Sequence, residues 1–276
     1  MMFPLIPAKL IVAAIATVLP LGLYQQSDNA QYALGGKTPA YAIQYYSWGE
    51  PFQAADAMAA RAKGTEVFAE LHTCGWPCSP SNVPVQDVIA GDYDGYLRSF
   101  AEQVRAFGHP VLLTVDSEMN GNWNPWGSQA ITRARWKALW DHVTAVIAPV
   151  AVNATWVWAP NVQAGASAVA PYWPGSHHHV GAVGLDGYFW TPSSTWANTF
   201  AASVTAVRAV AGRRPFIVSE TGVNSADPDA AAQIKDLVAG ARSAGARVLF
   251  YFDRYQWQLT APQARLLVAA LSRPAR

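Results

Sequence analysis

Charge is scarce in this chain. Of its 276 residues only 13% are Asp, Glu, Lys or Arg, about half of ordinary soluble usage. The 19 basic and 18 acidic residues leave a formal net charge of +1, and no block of like charge interrupts the sequence. Nucleic acid and anionic membrane surfaces therefore have no electrostatic footprint here. Cysteine is almost missing: the two present lie in Cys74-Gly75-Trp76-Pro77-Cys78, too few ligands for a zinc site. They fit a small loop disulfide, which would agree with export, or two free thiols. Leu34-Gly35-Gly36 carries no dinucleotide fingerprint. The Gly-x-Ser-x-Gly elbow is absent, so Ser219 does not belong to a serine-hydrolase triad. The one long apolar run, Leu10 to Leu19, stops at Pro20, too soon for a clear membrane span. With Lys9 ahead of it and Ala14-Ile15-Ala16 inside it, the segment 1–19 reads as a signal peptide, an uncleaved anchor or an ordinary buried segment being the alternatives. The expected location is secreted or extracytoplasmic, anchored at the membrane if the segment is retained.

What the chain has instead is apolar and aromatic. Hydrophobic residues make up 51% and tryptophan alone accounts for 12 positions, enough for a substantial core and pointing to a neutral partner. Short β-branched and aromatic segments alternate with longer Ala-rich segments of helical spacing. The strands read as Leu21 to Tyr24, Tyr41 to Ser47, Glu66 to His72, Val111 to Ser117, Ala154 to Trp158, Val180 to Tyr188, Phe216 to Glu220 and Arg247 to Asp253. Helices read from Phe52 to Ala62, Tyr93 to Phe107, Thr132 to Ile147, Thr195 to Ala211, Pro228 to Ala244 and Ala261 to Leu271, several ending at glycine. Long connections after the third and fifth strands are candidate substrate loops. Alternation of this kind implies parallel pairing through crossovers, and eight strands match a single (β/α)8 barrel over residues 20–276.

In such a barrel the chemistry projects from the C-terminal strand ends. Those ends carry His72, Glu118, Trp158 to Asn161, Asp186 to Trp190, Glu220 and Asp253. Glu118 and Glu220 end the fourth and seventh strands, across the mouth from each other, where two carboxylates can converge on one bond. That pairing suits retaining glycoside hydrolysis, one acid protonating the leaving oxygen while the other attacks the anomeric carbon. Asp116, two residues before Glu118, is expected on the same side of the strand. Tryptophans at or beyond strand ends (Trp48, Trp76, Trp123, Trp126, Trp158, Trp190 and Trp257) are candidate sugar platforms, because flat indoles cover the apolar faces of sugar rings. Trp136, Trp140 and Trp156 fall inside elements and read as core. His72 is a candidate sugar-hydroxyl contact. His177-His178-His179 reads as a solvated loop, since three adjacent residues of an extended chain cannot all face one ion.

Glu118-Met119-Asn120-Gly121-Asn122-Trp123-Asn124-Pro125-Trp126-Gly127 resembles the acid/base motif of glycoside hydrolase family 26, the β-mannanase family. Val157-Trp158-Ala159-Pro160-Asn161, Gly184-Leu185-Asp186-Gly187-Tyr188-Phe189-Trp190 and Ile217-Val218-Ser219-Glu220-Thr221-Gly222 are similar to its fifth-, sixth- and seventh-strand segments, in family order. The resemblance implies a (β/α)8 barrel, retention of configuration, no cofactor and no metal. By position it implies Glu118 as acid/base, with a raised pKa, and Glu220 as an ionised nucleophile oriented by Tyr188; Asn120 enters as a substrate contact. The family pattern has His immediately before the acid/base Glu and Arg three residues earlier, polar supports of the reacting-sugar site; here those positions are Ser117 and Thr114. The expected activity is endo-acting β-glycan hydrolysis, with mannan first and β-glucan or β-xylan next, by a monomer acting on a neutral β-linked polysaccharide or oligosaccharide. A non-catalytic glycan-binding barrel and an anchored exopolysaccharide-processing enzyme are the alternatives.

Overall fold

The structure, a computed structural model, describes residues 18–24, 34–75, 78–79, 84–175 and 179–273. Eight parallel strands close into a barrel in sequence order. They are β1 (Leu21–Tyr24), β2 (Tyr41–Tyr46), β3 (Glu66–Leu71), β4 (Val111–Val115), β5 (Ala154–Trp158), β6 (Val180–Phe189), β7 (Phe216–Val223) and β8 (Ala246–Phe252), and β1 pairs with β8 to complete the circle. The helices are α1 (Ala54–Ala62), α2 (Val85–Ala90), α3 (Asp94–Phe107), α4 (Arg133–Ile147), α5 (Trp196–Thr199), α6 (Ala201–Ala211), α7 (Ala230–Ser243) and α8 (Ala261–Ser272). The six expected helices are present. The one read as Thr195 to Ala211 is split at Phe200, whose ring stacks on Trp196 at 4.6 Å, and α2 is an extra short helix inside the connection after β3. Between β5 and β6 the crossover is made by two 3-10 turns, Ala166–Ala168 and Ala170–Tyr172.

Parallel strands buried on both faces explain the near-continuous apolar runs. Inside the barrel, Ile43, Phe68, Leu112, Val157, Ala159, Ala182, Ile217, Val248 and Phe250 form one cluster. Their neighbours in sequence face the helices and form the larger outer core, which includes Trp136, Trp140 and Trp156. Because side chains alternate along a strand, the inward set fixes what comes next at the mouth: Phe68 leads to Glu70 and His72, Ile43 to Tyr45, and Ala182 to Gly184, Asp186 and Tyr188.

The segment 1–19 lies outside the described residues apart from Val18 and Leu19. Leu19 is buried, and its N–H donates to the Leu271 carbonyl at 3.0 Å, so the folded barrel begins at least one residue before position 20. His177 and His178 also lie outside the described residues. Cys74 and Cys78 form a disulfide, which decides between the two readings of that pair.

Candidate active site

The seventh strand contains an irregularity that matters for the chemistry. In the β6–β7 register Leu185 faces Val218 while Asp186 faces Glu220, so Ser219 is an extra residue. A bulge of this kind re-aims the chain. Ile217 points into the barrel and Val218 outward, and simple alternation would then send Glu220 outward. With the bulge, both Ser219 and Glu220 reach the mouth: the Ser219 hydroxyl donates to Asp186, and Glu220 accepts from the phenols of Tyr45 and Tyr188, one on each oxygen. Gly184 makes room for this, since a Cβ there would sit 2.3 Å from the Ser219 Oγ.

The fourth strand positions its glutamate differently. Regular structure stops at Val115, and Asp116 (φ 48°) and Glu118 (φ 57°) both adopt left-handed backbone, costing about 1–2 kcal/mol each for residues with a Cβ. Specific bonds hold that turn. Asp116 is fully buried and accepts from the Thr73 N–H at 2.8 Å and hydroxyl at 2.6 Å. The Glu118 N–H donates to the Ala159 carbonyl at 2.8 Å, and the Trp126 indole donates to the Ser117 carbonyl at 2.8 Å. The expected strand alternation between Asp116 and Glu118 is therefore superseded by a turn: Asp116 pins the loop after β3, and Glu118 faces the mouth. Its Oε2 accepts from the Trp123 indole at 2.6 Å and from Asn124 at 3.2 Å, and its Oε1 from the Asn161 amide.

Five acids thus gather at one end of the barrel: Glu70, Asp116, Glu118, Asp186 and Glu220. Among the described residues no lysine or arginine pairs with any of them; their nearest basic group is His72, 3.9 Å from Glu70. Burial is the largest reason that Glu220 is pushed up to about 8, and the Glu118 charge is the next; the two phenols pull the other way. Burial likewise raises Glu70 to about 8 and Asp116 to about 6 and drives Asp186 well up. Burial lowers His72 to about 4, so its imidazole is neutral near pH 7. Because the Glu118 charge raises Glu220, removing that charge lets Glu220 ionise more readily.

The tryptophans divide into two sets. Trp123 and Trp190 are 44% and 46% exposed, one bonded to Glu118 and the other 6.0 Å from the Tyr188 ring. Trp126 and Trp257 are nearly buried: Trp126 stacks on His72 at 4.4 Å, and Trp257 supports Tyr188 at 4.6 Å and Trp190 at 4.5 Å. One expected contact is corrected. Trp158 is completely buried and packs on Trp173, because its strand position points to the helices. Trp48 packs against Tyr93 and Tyr96 at the start of α3. Asn120 is buried and braces Asn161, exchanging bonds of 2.7 and 2.8 Å with its backbone. Trp76 lies outside the described residues. A cavity of about 680 Å³ lies beside Trp123, the indole bonded to Glu118, and is lined by Asn120, Trp123, Gln129, Arg133, Gln163 and Tyr172 among others. Sequence reading missed Tyr45, Glu70 and Asn161 as partners, although Glu70 and Tyr45 fall on the inward period of their strands.

The sequence profile of Glycosyl hydrolase family 26 matches residues 86–233, a stretch that includes Glu118, Asp186, Tyr188 and Glu220. Endoglucanase H of Acetivibrio thermocellus is 30% identical over 120 residues, 41% of this chain. The match spans only 13% of that relative's length. Among solved structures, the GH26 β-mannanase BoMan26A from Bacteroides ovatus superposes with a TM-score of 0.71 at 15% identity, covering 93% of this chain and 88% of its own. A Cellulomonas fimi endo-β-1,4-mannanase double mutant gives 0.72 at 15% identity, covering 92% and 70%. At such identities the structures speak for the fold. With the profile extending over more than half of the sequence and through both glutamate-bearing strands, the chain belongs to glycosyl hydrolase family 26.

Proposed function

We propose that the protein is a retaining, endo-acting β-glycan hydrolase in which Glu118 is the acid/base and Glu220 the nucleophile. The observation that carries this reading is the placement of two glutamates, from β7 and from the end of β4, at the same mouth of the barrel, the first held by two O–H donors and the second by three N–H donors. In the first step Glu220 attacks the anomeric carbon while Glu118 protonates the departing glycosidic oxygen, and the C–O bond breaks. In the second, Glu118 takes a proton from water, whose oxygen displaces Glu220 from the same carbon; two inversions give net retention. Because Glu118 faces the leaving oxygen, the cavity beside it takes the leaving-group side of the polysaccharide. Trp123 and Trp190 supply exposed aromatic faces on the two flanks. The disulfide supports export to an oxidising compartment.

The substrate is a neutral β-linked polysaccharide, and mannan is the first candidate through the mannanases that share the fold. A specific observation gives mixed-linkage β-glucan standing beside it. Thr114 is fully buried and Ser117 is turned to Glu70, so the family's two polar supports of the reacting sugar have no direct equivalent, and one curated relative that matches is Endoglucanase H. The deciding assay is reducing-end release from β-mannan, mixed-linkage glucan and β-xylan, with Glu118→Ala and Glu220→Ala as controls. Both variants should be nearly inactive, and azide should rescue Glu220→Ala with inverted product. A wild-type protein that retains glycans without releasing reducing ends would reduce the chain to a binding barrel.

A further inference from the structure

Glu70 is absent from the two-glutamate mechanism, yet it points into the same space. Phe68 lies in the barrel interior, and the two-residue period of β3 carries Glu70 inward above it. In the ladder Glu70 stands level with Tyr45 of β2 on one side and Thr114 of β4 on the other. Tyr45 is the phenol bonded to Glu220, and Thr114 occupies the position where the family pattern has arginine. Ser117, where that pattern has histidine, donates its hydroxyl to Glu70 Oε2 at 2.7 Å. Both departures from the pattern therefore converge on one carboxyl.

The surroundings are short of hydrogen-bond partners. Glu70 Oε1 makes no hydrogen bond among the described residues, and Thr114 Oγ1 and His72 Nε2 are buried without one. His72 Nε2 is 3.9 Å from Glu70 Oε2, beyond hydrogen-bonding distance. Two buried polar atoms without a partner, Thr114 Oγ1 and His72 Nε2, beside the open Oε1 of Glu70, call for a ligand at this proposed sugar site, since buried polar groups in folded proteins are otherwise paired. A sugar ring, with a hydroxyl on nearly every carbon, supplies the missing donors and acceptors.

We propose that Glu70 is a specificity-determining residue of this enzyme, its Oε1 hydrogen-bonding a hydroxyl of the sugar ring held between Glu118 and Glu220. The inference rests on the hydrolase reading above. Glu70 acts as a neutral acid: it is buried, its charge would face those of Glu118, Asp186 and Glu220, and no cation offsets them. Oε2 already accepts from Ser117, so the proton resides on Oε1 and is donated to the sugar. His72, neutral and stacked on Trp126, and Tyr45, bonded to Glu220, are the other titratable groups packed around it. The arrangement replaces cationic and imidazole supports with an uncharged donor, and so alters which ring hydroxyl pattern the site accepts.

The test is a cycle between enzyme and substrate variants. Wild type, Glu70→Gln and Glu70→Ala are assayed on oligosaccharides of the best-hydrolysed glycan and on analogues with single hydroxyls of the reacting ring removed. Glu70→Ala should lower kcat/KM by about 10- to 100-fold, while Glu70→Gln, which retains a donor, stays within about 5-fold of wild type. One deoxy analogue should lose as much with wild type and nothing further with Glu70→Ala. Equal losses across every analogue, or wild-type kcat/KM in both variants, would overturn the proposal while leaving the hydrolase intact. If wild type binds but does not cleave, the hydrolase reading fails, and the same cycle in Kd decides whether Glu70 contacts the sugar.

Discussion

Glu118 and Glu220 are the same residue type placed by opposite means. Glu220 is on a strand, and its two phenol donors come from other strands, Tyr188 on neighbouring β6 and Tyr45 on β2 across the barrel, so the closed barrel itself fixes its position. Glu118 is on a left-handed turn beyond the end of β4, and its partners Trp123 and Asn124 come from the loop that follows, with Trp123 almost half exposed. A group that attacks carbon must be held still, whereas one that passes a proton first to a leaving sugar and then from water needs access to both. With the roles proposed above, the architecture separates the two duties between frame and loop.

Replacing each glutamate breaks the comparison most severely. Glu118→Ala and Glu220→Ala should each reduce polysaccharide turnover by roughly 10⁴-fold. They should part company on an aryl glycoside whose phenol leaves without protonation: Glu118→Ala then regains the first step and gives a burst of phenol, and Glu220→Ala does not. A burst from Glu220→Ala instead would reverse the assignments.

Removing one donor at a time sharpens the contrast. Tyr45→Phe or Tyr188→Phe should lower kcat by about 10-fold or more, and because the lost phenol favoured the carboxylate, the acidic limb of the kcat/KM profile should move to higher pH. Trp123→Phe should cost less and leave that limb in place. Smaller again are the binding effects of the rings themselves: beyond the loss seen with Trp123→Phe, Trp123→Ala should raise KM by a further factor of roughly 5 to 10, and Trp190→Ala should raise it by roughly 5- to 10-fold, with little change in Tm. Product analysis should show the first penalising substrates extended on the leaving-group side.

The smallest effect is on stability, and its sign is opposite to the usual one for acids. Glu220 and Glu70 lie near 8 in the folded protein against an ordinary 4.5. Between those values the folded chain holds protons that the unfolded chain has released, so their contribution to stability is complete below about pH 4.5 and is lost as pH rises toward 8. Glu220→Gln should therefore melt higher than wild type at pH 8, with a flatter dependence of Tm on pH, while being inactive. A Tm at pH 8 unchanged from wild type would contradict the burial of an acid at that position.

Much of this fold was legible because it repeats. Eight apolar segments and glycine-ended helices impose a period that survives errors of one or two residues, and the strands at Leu21 and Ala154 coincide with expectation to the residue. The glutamates were legible because acids rarely close apolar strands. What escaped was local register. Trp158 looks like a platform by its place near a strand end, yet alternation turns it toward the helices. Tyr45 and Glu70 become visible only when Phe68 and Ile43 are known to face inward. The turn that reorients Asp116 depends on Thr73, more than forty positions away, and no spacing within the motif contains that information.

The surplus residue in β7 lets two consecutive side chains, Ser219 and Glu220, serve the same mouth. Deleting Ser219 would restore simple alternation, with Glu220 following the outward-facing Val218 and still pointing inward level with Asp186, but it would remove the hydroxyl that donates to Asp186. A relative without the extra residue would keep its glutamate at the mouth and lose the hydroxyl that holds the neighbouring aspartate, so strand length alone can separate relatives with otherwise identical sites.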